Sequence, residues 1–191
     1  YNVNIVGGNS NIADVVNKNQ VGVNTANSAG LQDPFSLQAA AFAGEVAVDV
    51  VGGVSGTSFP RGTRSTPVDN LADALSIAEA RGLKNVRILT SMTIDSVDFS
   101  DGYTFWGDNP NIVLTINAGA GVTNCEFRNA TITGTLDGNN TLRECSISSI
   151  NYFNGFIFQC GVSGTITLGG TSTAVLLQSF SLVAGGGASQ Y

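Results

Sequence analysis

Apolar residues change their spacing close to residue 84. Before that point Leu71, Ala74, Leu75 and Ala78 recur at intervals of three and four, which predicts an amphipathic helix over residues 67–81. After it, apolar residues alternate with polar ones, as a half-buried strand requires. The pattern therefore predicts a single clear helix placed directly ahead of a long region of strands.

The ends of this helix are predicted from its flanking residues. Thr66 is the expected N-cap, Pro67 suits the first helical position, and Asp69 takes the acceptor position of a capping box. At the other end, Arg81 favours the helix dipole and Gly82 can adopt the left-handed conformation that stops a helix.

The strand region contains a repeat. In a 20-residue register, residues 121–140 lie over residues 141–160, and the matched pairs are Cys125 with Cys145, Phe127 with Ile147, and Leu136 with Phe156. Units of about 17–20 residues with Gly- and Asn-rich turns predict a right-handed parallel β-helix of five turns from about residue 86 to 182. An antiparallel sandwich is the alternative, since it also has short strands and Gly-rich turns.

A solenoid has open ends that must be covered, because unpaired backbone and core side chains would otherwise face water. The helix precedes the first predicted turn, so we expect Leu71, Leu75 and Ala78 to cover that end of the core. The fold class is thus mainly β, a parallel β-helix capped by one N-terminal amphipathic helix.

The N-terminal part of the chain, 1–60, has a different pattern. It contains two short strand-like stretches, a short helix predicted over residues 34–42, and a strand at 46–51, ahead of a Gly-rich loop at 52–66. We predict a small α+β attachment region at 1–60 and a helix-capped β-helix domain at 61–191. Because so short a region buries little surface by itself, residues 1–50 are expected to pack on another chain.

Composition excludes several classes of function. The chain has 191 residues, 42% of them hydrophobic and 12% charged, with a net charge of −6 and no basic run, which argues against nucleic acid as a partner. It has no His and three Cys without a C-x-x-C pair, so neither a metal nor another cofactor is predicted. No apolar stretch reaches the roughly 20 residues of a membrane span, and no signal peptide is predicted.

One segment resembles a known family. Residues 48–90 resemble a segment that precedes a β-helical part in bacteriophage virion proteins of the tail fiber, tailspike and baseplate type. The matching motif is the stretch "GTSFPRGTRSTPVDNLADALSIAEARG" (56–82). The matching residues are Gly56, Thr57, Pro60, Gly62, Thr63, Pro67, Val68, Asn70, Leu71, Asp73, Ala74, Ile77, Ala78, Arg81 and Gly82.

The resemblance implies a structural component of a virion, made in the bacterial cytoplasm and commonly a homotrimer. On this reading residues 1–50 dock to another virion protein or a sister chain, and the β-helix projects outward. The part of the virion is left open.

Two further functions come from the same resemblance. A tailspike-like polysaccharide depolymerase would need two carboxylates about 5–9 Å apart, and Glu126 and Glu144 are the candidates, although a surface ion pair of Glu126 with Arg128 is the simpler account. A module that binds host glycan without cutting it would use exposed aromatic rings. The candidates for stacking on sugar are Tyr103, Trp106, Tyr152 and Phe153.

Overall fold

The computed structural model describes residues 40–95, 98, 100–168, 174–177 and 180–181. The chain divides into two compact units, Tyr1–Ala43 and Gly44–Tyr191. Most of the predicted attachment region therefore lies outside the described residues, as do the two strand-like stretches and most of the helix predicted at 34–42. Of that helix, residues 40–42 are described and are helical.

The second unit is a β-solenoid of about four turns, built as an all-parallel sheet. Its helix α1 is Leu71–Arg81. Its strands are β1 Glu45–Val48, β2 Asn85–Ile88, β3 Met92–Ile94, β4 Ser100–Asp101, β5 Thr104–Gly107, β6 Val113–Ile116, β7 Val122–Thr123, β8 Glu126–Arg128, β9 Thr131–Thr135, β10 Asn139–Arg143, β11 Ser146–Phe158, β12 Gly161–Val162, β13 Ile166–Leu168, β14 Ala174–Leu177 and β15 Phe180–Ser181.

The strands stack in two main faces. The first face runs β1-β2-β5-β8-β10-β11, with β14 paired to β11, and the second runs β3-β6-β9-β11, with β13 paired to β11. The long strand β11 belongs to both faces, and between them lies Tyr152, whose φ of 57° is left-handed. All pairs between the described strands are parallel, which confirms the predicted parallel β architecture and excludes the antiparallel sandwich for this region.

The predicted constant register between turns is wrong. On the first face Phe105, Phe127, Leu142 and Ile157 follow one another in register, so the step from Phe105 to Phe127 is longer than the two steps that follow it. Turns of unequal length are compatible with one core, because only the strands must stack while the connecting loops can vary in length. Phe127 therefore lies next to Leu142, and not next to Ile147.

The predicted match of Cys125 with Cys145 is wrong for the same reason. Cys145 follows β10 and is neighbour to Cys160 in the next turn, whose sulfur accepts the Cys145 N–H at 3.4 Å. Cys125 instead precedes β8, and its N–H donates to Asn140 Oδ1. All three are buried, and none forms a disulfide within the described residues. Burial raises the pKa of the Cys125 thiol, and the hydrogen bond with Cys160 together with burial raises the pKa of the Cys145 thiol, so both thiols are protonated at neutral pH.

Inward side chains fill the core as columns. On the first face the rings of Phe105 and Phe127 stack with centroids 5.2 Å apart. On the second face the column is Met92, Leu114, Ile132 and Ile147. These residues are buried, because alternate residues of every strand point to the same side of the sheet.

Helix α1 begins later in the chain than predicted, at Leu71. Asn70 is the N-cap, since its side-chain oxygen accepts the Asp73 N–H at 2.8 Å. Thr66 is therefore not the cap. Pro67 and Val68 belong to an extended segment in which Val68 bridges to Val48 of β1. The predicted stop at Gly82 is confirmed, with φ of 64°.

The buried face of α1 differs from the predicted one at a single position. Leu71, Ala74 and Ala78 are buried as expected, but Ile77 is buried in place of Leu75, which is half-buried. The helix contacts β1 and β2, the first strands of the stack. The buried stripe is therefore Leu71, Ala74, Ile77 and Ala78, which recur at intervals of three and four.

Candidate binding face

The outward side of the first face carries a column of arginine and aromatic residues. The column is Arg87, Trp106, Arg128, Arg143 and Phe158, which are in register on β2, β5, β8, β10 and β11. We call it the outer ladder. Parallel strands in register place equivalent side chains about 4.8 Å apart, so each member contacts the next.

Guanidinium groups of the outer ladder stack on its rings. The Cζ atoms of Arg87 and Arg128 lie 4.6 Å and 5.4 Å from the Trp106 ring centroid. These arginines are on the two strands that flank β5, so they cover the indole from both sides. Arg143 Cζ lies 4.9 Å from the Phe158 ring centroid. Cation–π contacts of this kind contribute about 0.5–1 kcal/mol each near a surface.

Two carboxylates in the adjacent outward column hold the arginines. The first is Glu126, whose Oε1 accepts hydrogen bonds from the Nε atoms of Arg128 at 2.9 Å and Arg143 at 2.8 Å. Burial opposes the charged form of Glu126, but the hydrogen bonds from both arginines outweigh it and hold the carboxyl pKa below its usual value. Glu126 is thus ionised at neutral pH.

The other carboxylate is Glu45 on β1. It forms an ion pair with Arg87 at 2.9 Å and a longer one with Arg64 at 3.9 Å. Arg64 also pairs with Asp108. The four charges at this end of the face therefore balance.

The predicted sugar-stacking residues divide by burial. Phe153 and Tyr103 are buried, and Lys84 Nζ lies 4.2 Å from the Tyr103 ring centroid. Trp106 is half-buried, with its ring faces covered by arginine. Tyr152 is 60% exposed. Of the four, Tyr152 alone presents an open ring to solvent.

An exposed aromatic residue that the sequence analysis missed is Phe156 on β11. It is 50% exposed and is in register with Thr141 of β10, beside the outer ladder. The spacing that joins Arg128 to Arg143 also joins Thr141 to Phe156. Aligning the chain on the two arginines, and not on Cys125 and Cys145, would have brought these residues together.

The structure does not bring Glu126 and Glu144 together as a diagonal pair. Glu126 is in register with Thr141, while Glu144 lies beyond the end of β10, in the corner of the next turn. Glu144 has φ of 55°, and Asn129 and Gln159 have 50° and 53° at the equivalent corners. The three corner residues thus share a left-handed backbone conformation. Glu126 is also held as a carboxylate by two arginines, an arrangement that does not suit a general acid.

Two further observations concern ligands and membranes. In the described part of the chain, no group of three or more His, Cys, Asp or Glu residues is placed to hold a metal ion. Over the same residues, no helix is long and apolar enough to cross a membrane.

Comparison with protein-family models, with curated proteins and with solved structures found no match.

Proposed function

We propose that this chain is a structural component of a bacteriophage virion, a fiber, spike or decorating protein of the tail, neck or head. The observation that carries the proposal is the order of its parts. The segment at 56–82 that resembles phage virion proteins lies between β1 and β2, the first two strands of the stack, and ends in α1. All the other strands of the parallel β-solenoid follow it. The resemblance implies the same order, a helix followed by a parallel β-helical part.

The contacts of the solenoid suit a passive, rigid role. Charged side chains of the outer ladder are paired with Glu45 and Glu126, and its rings are stacked with guanidinium groups. We infer that α1 caps the first turn, since it packs on β1 and β2. We also infer a right-handed coil, which nearly all parallel crossovers adopt.

In this proposal residues 1–50 dock to another virion protein or to a sister chain, and the solenoid projects outward. Localisation in intact particles tests it. Antibody against the solenoid should label purified phage particles at one fixed position, and the chain should be found among virion proteins by mass spectrometry. Its presence only in infected-cell extract, and not in particles, would contradict the proposal.

Recognition of host glycan is a second candidate. The observation that favours it is the pair of exposed rings, Tyr152 and Phe156, on β11. Labelled protein should then bind saturably to bacteria that the phage infects, without releasing reducing ends from their polysaccharide. Release of reducing ends that is lost in Glu126→Gln or Glu144→Gln would establish the depolymerase instead.

A further inference from the structure

We propose that a site beside the outer ladder, which combines two of its guanidinium groups with an exposed aromatic ring of the adjacent outward column, binds the carboxylate of an acidic sugar. Its residues are Arg128, Arg143 and Phe156, which we call the arginine patch. The inference rests on the glycan-binding function proposed above. It adds to that function a site and the charge of the ligand.

Arg128 and Arg143 have hydrogen-bond donors that a ligand can use. They are neighbours in register on β8 and β10, and their side chains are 30% and 36% exposed. Within the described residues, each pairs with Glu126 through Nε. A guanidinium group has five N–H donors, so the Nη donors of both arginines are available to a ligand. Two adjacent forks match the oxygens of a carboxylate, which arginine binds in bidentate fashion.

The charge of the patch also favours an anion. Arg128 and Arg143 share the single carboxylate of Glu126, which leaves one positive charge in excess at the patch. The chain as a whole carries −6. A local positive site on an acidic protein attracts a small anionic group, while the rest of the molecule repels a dense polyanion such as nucleic acid.

Phe156 supplies an apolar surface beside these donors. It lies one strand across and two residues along from Arg143, so their Cα atoms are about 8 Å apart. A single sugar ring can span that separation with the help of the long arginine side chain. A sugar whose apolar CH face packs on Phe156 can therefore direct its carboxylate towards Arg143.

The probe is a tetrasaccharide prepared from hyaluronan, a polysaccharide in which glucuronate alternates with N-acetylglucosamine. The control is the same tetrasaccharide with its carboxylates reduced, which makes it neutral. Titration calorimetry on the whole chain should show binding of the acidic form, with roughly 10-fold weaker binding of the reduced form. The affinity should also fall as salt is raised, because ions screen the partly exposed arginines. Equal affinity for the two sugars would overturn the proposal.

Variants localise the site. R143Q and F156A should each weaken binding about 10-fold, the loss expected for one charge-assisted contact or one stacked ring. R64Q removes the same charge from the far end of the same face, from a side chain that is 58% exposed, and should bind as the wild type does. Equal losses in R143Q and R64Q would indicate non-specific attraction and overturn the site. Near-ultraviolet circular dichroism confirms that each variant is folded.

The outcome also separates this inference from the function on which it rests. If labelled protein binds host bacteria and R143Q binds them equally well, glycan recognition stands and the arginine patch is wrong. If neither bacteria nor the tetrasaccharide are bound, both fail.

Discussion

Asn140 connects successive turns from inside the solenoid. It is buried, its Oδ1 accepts the Cys125 N–H at 3.0 Å, and its Nδ2 donates to the Val122 carbonyl at 3.1 Å. N140A leaves both backbone groups without these partners, so we expect a loss of about 2–3 kcal/mol in the free energy of unfolding, measured with urea. N139A, at the exposed neighbouring position, should change it by less than about 0.5 kcal/mol. Equal effects would contradict the role of Asn140.

Gly155 lies where two turns approach closely. Its φ is 135°, and a Cβ there would collide with the Asn140 carbonyl oxygen. We expect G155A to cost about 3 kcal/mol, because it adds overpacking to an unfavourable backbone conformation. Gly102 is the matched control, since it also has positive φ, of 67°, but nothing within 4 Å of the added carbon. G102A should cost only about 1 kcal/mol. Thermal unfolding of both variants measures the difference, and similar costs would show that close approach is unimportant.

The start of α1 can be tested by two substitutions that separate the predicted cap from the observed one. N70A removes the side-chain acceptor of the Asp73 N–H and should destabilise the protein by about 1 kcal/mol. T66A alters the residue that the sequence pattern favoured as cap and should change stability by less than about 0.5 kcal/mol. Chemical denaturation of the two variants gives the comparison, and a larger loss in T66A would place the helix start where the sequence predicted it.

Strands β8 and β10 are joined on the outside by Glu126, and this contact should depend on pH. The folded-state pKa of Glu126 is depressed, so its contribution is present above the unfolded pKa of about 4.3 and is lost as pH falls through the folded pKa. E126Q should therefore be less stable than the wild type at pH 7, by about 1 kcal/mol. The difference should shrink below about pH 4.

Denaturation of both proteins between pH 2 and 7 measures this dependence. E79Q, which removes a carboxylate from the exposed side of α1, is the control for general charge effects. A wild-type advantage over E126Q that persists unchanged at pH 2 would contradict the assignment.

We propose that the chain assembles as a homotrimer, the state that the resemblance to phage virion proteins implies. The loop that follows β1 exposes the apolar side chains Val51, Val54 and Phe59, which association with another chain would remove from water. Sedimentation equilibrium at micromolar concentration should give three times the chain mass of 19.6 kDa. A folded species at the mass of a single chain would rule out the trimer.

The sequence by itself determined those features that depend on neighbouring residues. Spacing of three and four placed Leu71, Ala74 and Ala78 on the buried face of α1, and Gly82 stopped the helix because its left-handed conformation costs little. Alternation with Gly- and Asn-rich turns predicted short strands. Each of these signals acts within a short stretch of chain, so it can be read without knowing what packs against it.

The tertiary structure alone decided the register between turns, and with it the outer ladder. A constant repeat would match Cys125 with Cys145, whereas the fold takes one long step and then two shorter ones. Loops between turns vary in length at small cost, so hydrogen-bonded strands choose the pairing that best fills the core columns. Only that choice places Arg128 next to Arg143. Tertiary pairing likewise placed the helix cap at Asn70 and not at Thr66, because Val68 bridges to Val48 of β1.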